Sequence, residues 1–167
     1  ETSAVLASSL AQEQAIWRLR EESSVLYVDH PNSPSFDVSL PLSQVDDYVR
    51  RCVAGFAEVS PGLAPFVFGH LGDGNLHIML NRAAEALTAD DIAGVERVLY
   101  EGIRSLGGSF SAEHGVGSKR IHALYATADP VKLALMRSIK HLLDPKGLVN
   151  PGKVLGTGRA GEAEVLP

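Results

Sequence analysis

The chain has 167 residues, 45% of them hydrophobic and 21% charged, enough for one domain with a buried core. Its net charge of −5 and the lack of any basic cluster argue against nucleic acid as a partner, and no apolar run reaches the length of a membrane span. The single cysteine, Cys52, excludes an internal disulfide framework and fits a reducing compartment.

Leu6, Leu10, Ile16, Trp17 and Leu19 recur at helical spacing and predict an amphipathic helix from Ala4 to about Glu22. The apolar run VLYV (25–28) reads as a strand or as a helix-to-strand connection, and HPNSPS (30–35) as a loop. FDVSL (36–40) alternates apolar and polar residues, the pattern of a half-buried strand. A helix follows from Ser43 to about Phe56, with Val45, Tyr48, Val49, Cys52, Val53 and Phe56 on one face, until PGLAP breaks it. FVFGH (66–70) and LHIML (76–80) form two strands joined by a turn of Gly72, Asp73, Gly74 and Asn75. Thr88 and Asp91 resemble a capping box for a helix to about Leu106, and Gly107-Gly108 stops it. SFSAE (109–113) is a fourth strand, a short helix runs from about Lys119 to Tyr125, and Asp129-Pro130 opens a last helix to Leu143. The tail 156–167 is Gly- and Ala-rich and is expected to be flexible, leaving residues 1–155 as the domain.

Strand, helix, strand, strand, helix, strand is the ferredoxin-like split βαβ order. The expectation is therefore an α+β fold, an antiparallel sheet with helices on one face and extra N- and C-terminal helices.

The turn does not need its flanking histidines. His70 ends one strand and His77 enters the next, so they can face each other with Cβ atoms about 4.5–5.5 Å apart. Two imidazoles so placed either flank an exposed turn or share one metal ion at about 2.0–2.1 Å each. SAEHG (111–115) sets Glu113 and His114 before a glycine bend that can turn both toward the same pocket. Two histidines and one carboxylate leave metal positions open, as catalytic sites do. GVGSK (115–119) lacks the spacing of a phosphate loop, and Glu113 beside it would repel an anion, so nucleotide binding is not expected there.

GHLGDGNLH, SAEHGVGSKR and LDPKGLVNPGKVL, in that order, resemble the C-terminal substrate domain of FAD-linked 2-hydroxy acid dehydrogenases. These enzymes, among them D-lactate, glycolate and D-2-hydroxyglutarate dehydrogenases, belong to the vanillyl-alcohol oxidase superfamily. The likeness runs from WRLREESS near residue 17 to Leu155. It implies that His70, His77 and Glu113 hold a divalent metal, zinc or manganese, and that His114 takes the substrate hydroxyl proton while hydride passes to the flavin. It further implies that Arg20 pairs with a substrate carboxylate, that Ser24 contacts substrate through its hydroxyl, and that Asn150 lies near the FAD. Members acting on D-2-hydroxyglutarate carry lysine where this chain has Ser35 and asparagine where it has Met79, which favours a monocarboxylic or more apolar 2-hydroxy acid here.

The resemblance also implies an N-terminal FAD-binding domain as partner, since no dinucleotide fingerprint occurs in these residues. The chain is expected to be a piece of a longer flavoenzyme, inactive alone, its exposed faces covered by the flavin half or by a homodimer. A cytoplasmic location is expected, mitochondrial for a eukaryotic chain. The competing reading is a non-catalytic ferredoxin-like binding or assembly module that keeps the histidines as a structural or vestigial metal site.

Overall fold

The computed structural model describes residues 5–22 and 24–156, leaving out the side chain of Ser24; the expected flexible tail after Gly156 lies outside the described residues. In chain order the elements are α1 (Leu10–Glu21), α2 (Ser24–Asp29), β1 (Ser35–Ser39), α3 (Leu42–Val59), β2 (Pro65–His70), β3 (Asn75–Leu80), a 3-10 turn (Ala84–Ala86), α4 (Ala89–Tyr100), α5 (Ile121–Thr127) and α6 (Pro130–Leu143). The fold is α+β, with an antiparallel sheet in the order β1-β3-β2.

Side-chain caps set the starts of α4 and α6. Thr88 and Asp91 exchange side-chain and backbone hydrogen bonds in a complete capping box at the start of α4. Asp129 accepts the N–H of Val131 ahead of Pro130, opening α6 as its sequence implies. Gly102, with φ +72°, follows the end of α4, so the expected helix to Leu106 stops at Tyr100 and continues as turns. VLYV is helical, within α2, and its Val25, Tyr27 and Val28 are exposed.

The fourth strand is reduced to a single antiparallel bridge. Ser109 and Ser39 exchange backbone hydrogen bonds of 3.0 and 2.8 Å on the outer edge of β1, where a ferredoxin-like fourth strand would pair. Beyond it the amides of Ala112, Glu113 and His114 donate to the Asp37 side chain instead of to β1 carbonyls, and the ladder ends.

Period-2 alternation divides the sheet into two faces. Phe36, Val38, Leu76, Ile78 and Leu80 pack with Tyr48, Cys52 and Phe56 of α3 and with Val95 and Leu99 of α4 in one core. α3 and α4 approach closely through reciprocal small-to-large contacts: a Cβ on Gly55 would lie 2.8 Å from Val98, and one on Gly94 would lie 2.9 Å from Val59. The Tyr48 hydroxyl ties the pair together by donating to the Leu99 carbonyl at 2.8 Å. The opposite face carries Asp37, His77, Met79, Asn75, Phe68 and His70, and it is there that the polar chemistry gathers.

Candidate functional site

The β2–β3 hairpin brings the two histidines together, and its turn requires glycine at position 74. Gly74 has φ +68°, and a Cβ there would stand 1.9 Å from the Leu40 carbonyl oxygen. Asp73 Oδ1 accepts the Asn75 N–H at 3.1 Å, an Asx-type closure of the turn. The register corrects the expected face-to-face pairing: His70 stands opposite Asn75, and His77 opposite Phe68 and Asp37. The histidines are diagonal neighbours on one face, with ring centroids 5.3 Å apart at an interplanar angle of 85°.

Glu113 arrives from the segment after the Ser109 bridge. Its Oε1 lies 3.4 Å from His70 Nε2 and its Oε2 lies 3.8 Å from His77 Nε2. His70, His77 and Glu113 can each present one donor atom with all three within 4.8 Å of one another. A tetrahedral ion held at about 2.1 Å separates its ligand atoms by roughly 3.4 Å, so the two borderline imidazoles and the carboxylate fit a divalent cation in type and spacing. The His114 ring stacks beside His77 with centroids 5.9 Å apart.

Asp37 underlies this arrangement and was not singled out by sequence reasoning. Alternation alone placed it on the polar side of a half-buried strand, yet it is fully buried. Burial works to raise its carboxyl pKa, but the amides of Glu113, His114 and Ala112 and the Arg120 guanidinium outweigh that effect and hold it below the usual range. The signal available in the sequence was an acidic residue between Phe36 and Val38 in a strand, with Arg120 ending the GVGSKR motif.

No hydrogen bond or ion pair among the described residues joins Arg20 or Asn150 to the cluster. Arg20 lies on α1, which has no buried residue, with its guanidinium 5.8 Å from the Trp17 ring centroid. Ser24 begins α2, and its side chain lies outside the described residues. Asn150 is exposed with φ 47°, and its carbonyl accepts the Lys153 N–H. It sits in a segment tied to α6 by Asp144, which accepts the amides of Leu148 and Val149 at 2.9 Å each. Among the described residues no helix is long and apolar enough to cross a membrane.

The family described as FAD linked oxidases, C-terminal domain, matches residues 1–154. The chain is 37% identical over 159 residues to a D-2-hydroxyglutarate dehydrogenase of Xanthomonas citri pv. viticola, covering 92% of this chain and 33% of that protein. It is 37% identical over 157 residues to the mitochondrial D-2-hydroxyglutarate dehydrogenase of Danio rerio, covering 92% of this chain and 28% of that one. Against the mitochondrial enzyme of the same name from Bos taurus it is 38% identical over 157 residues, again 28% of the relative's length. The chain thus spans about a third or less of the relatives it matches.

Proposed function

The chain belongs to the family of FAD-linked oxidase C-terminal domains, and we propose that it is the substrate- and metal-binding domain of an FAD-dependent enzyme that oxidises a 2-hydroxy acid to the 2-oxo acid. The observation that carries this reading is the convergence of His70, His77 and Glu113 on one point with the His114 ring beside them.

In this reading His70, His77 and Glu113 hold a divalent cation, zinc or manganese, whose charge favours loss of the substrate's hydroxyl proton. The flavin, bound mainly by the partner N-terminal domain, supplies the hydride acceptor. His114 takes the hydroxyl proton as C2 gives up its hydride, so that the C–O single bond becomes the carbonyl of the product. A neutral imidazole suits that task because one ring nitrogen can accept a proton while the other carries one. Arg20 is assigned to a substrate carboxylate, for which its planar fork is matched, Ser24 to a second substrate contact, and Asn150 to the flavin side. The exposed Val131, Leu135 and Ile139 on α6 and Trp17 on α1 supply apolar surface for the flavin half.

The test uses the full-length protein with FAD bound, mixed anaerobically with a panel of D- and L-2-hydroxy acids. Bleaching of the flavin absorbance by at least one acid, with a divalent metal present in the purified protein, is the expected result. A metal-replete, flavin-replete protein that no 2-hydroxy acid bleaches is the non-catalytic module instead.

A further inference from the structure

Asp37 occupies the middle of β1, directly across from His77, and none of its surface meets solvent. An ionised carboxylate in such a place is costly unless each oxygen finds a partner. The two oxygens are served differently. Oδ2 accepts three consecutive amides, those of Ala112 at 2.7 Å, Glu113 at 2.7 Å and His114 at 3.3 Å. Oδ1 has Arg120 Nη1 at 2.5 Å and His114 Nδ1 at 3.7 Å. Arg120 directs its hydrogen bonds to Ser111 Oγ and the Gly115 carbonyl, both at 3.1 Å, which leaves Asp37 Oδ1 without a hydrogen bond of its own. Oδ1 is thus ion-paired with Arg120 and keeps acceptor capacity on the side of the His114 ring.

We propose that Asp37 is a positioning residue for the oxidation described above: Oδ2 pins the backbone that carries Glu113 and His114, and Oδ1 takes the Nδ1–H of His114 in the assembled site. Closing the 3.7 Å gap by about 1 Å makes this a charge-assisted hydrogen bond. It fixes the imidazole as the Nδ1–H tautomer and leaves Nε2 bare as the proton acceptor. One buried carboxylate then orients both the cation-binding group and the base, and Arg120 offsets its charge. This inference rests on the proposed reaction, because a positioned base needs a proton to take.

The experiment compares full-length wild-type protein with Asp37→Asn, His114→Ala and the double variant, reading flavin bleaching against substrate concentration. Asp37→Asn keeps the side chain's shape but loses the acceptor charge facing Nδ1. Its limiting bleaching rate is expected to fall at least about tenfold but by less than the roughly 10²- to 10⁴-fold that a whole general base supplies, with apparent substrate affinity changed less than about threefold. The double variant is expected to be no slower than His114→Ala, because Asp37 acts through that ring. An unchanged rate in Asp37→Asn, or losses that multiply in the double variant, overturns the proposal. The tautomer gives a measurement that needs no Asp37 variant: nitrogen-15 resonances of labelled wild-type protein, with His114 assigned by its loss in His114→Ala. A proton on Nδ1 supports the assignment, and a proton on Nε2 overturns it. Failure of the underlying reaction looks different, since wild type itself would then show no bleaching.

Discussion

The His70 and His77 rings meet edge to face with centroids 5.3 Å apart, although neither residue is the other's cross-strand partner. Their diagonal placement directs both Nε2 atoms toward Glu113. Full-length wild-type protein is therefore expected to purify with about one divalent ion per chain, since three ligands fill all but the open positions of a catalytic site. His70→Ala and His77→Ala should each weaken retention by more than the roughly 10- to 100-fold that loss of an outer supporting group causes. Elemental analysis after dialysis against a chelator measures this. Full metal content in both variants would remove the site from these residues.

His114→Ala separates proton transfer from metal binding. The ring stacks beside His77 but is not among the three residues that offer a common donor point. Metal content is expected to stay at the wild-type level while flavin bleaching slows by about 10²- to 10⁴-fold, the usual share of a general base. A variant that bleaches at the wild-type rate would assign the proton to another group.

The hairpin turn makes a stability prediction. Gly74 combines φ +68° with a position where a Cβ would lie 1.9 Å from the Leu40 oxygen, a backbone atom already accepting no relief from a flexible side chain. The left-handed conformation costs an L-residue about 1–2 kcal/mol by itself, and the steric overlap adds to it. Gly74→Ala should thus lower stability by more than about 2 kcal/mol in chemical denaturation, because backbone must move to admit the methyl group. Gly72, with nothing within 4 Å of a built Cβ, is the control, and Gly72→Ala should be nearly silent. Equal behaviour of the two variants would contradict the packing described.

These contrasts mark what could be read in advance. The Gly-Asp-Gly-Asn turn, the Thr88–Asp91 box and the Asp129-Pro130 helix start are built from neighbouring residues, so local chemistry decided them. The motifs carrying His70, His77, Glu113 and His114 were legible in the sequence, whereas the meeting of His70, His77 and Glu113 depends on the hairpin and on the hold of Asp37 on residues 112–114. Asp37 was not: alternation says only that it faces away from Phe36 and Val38, whereas its burial is decided by Ala112, 75 positions later. The same long-range capture ended the fourth strand, which its own residues had no means of signalling. Arg20, Ser24 and Asn150 were reached through family likeness alone.

The segment bearing Asn150 should loosen in acid. Asp144 accepts Lys140 Nζ at 2.6 Å and the amides of Leu148 and Val149, and these bonds, led by that to Lys140, lower its pKa to about 2. An unfolded aspartate titrates near about 3.9. The folded value is the lower one, so the stabilisation is complete above about pH 4 and is lost as pH falls toward 2. Hydrogen exchange is expected to show the Leu148 and Val149 amides losing protection across that window ahead of Ile78 in the core. Simultaneous loss at all three positions would mean that Asp144 does not anchor the segment independently.

Ser35 and Met79 are cross-strand partners, and in the proposed function they are the positions expected to bear on substrate choice. Met79 is fully buried on the same sheet face as His77, and Ser35 is exposed at the start of β1. A second carboxylate on the substrate would find only a short hydroxyl at Ser35, backed by the buried Met79 thioether, and neither can carry charge. The relatives are named for D-2-hydroxyglutarate, so the comparison of interest is between that acid and a monocarboxylic one. We expect full-length protein to show higher kcat/KM on a lactate-like acid. Ser35→Lys, an exposed change with little bearing on packing, should raise kcat/KM for 2-hydroxyglutarate by about tenfold, equivalent to about 1.4 kcal/mol of added transition-state binding. Combining it with Met79→Asn should extend the gain only where the new amide reaches the substrate, because a buried amide without a partner costs stability. A wild-type enzyme that already prefers 2-hydroxyglutarate would place recognition of the second carboxylate on other side chains, with the exposed Arg20 as the first to substitute.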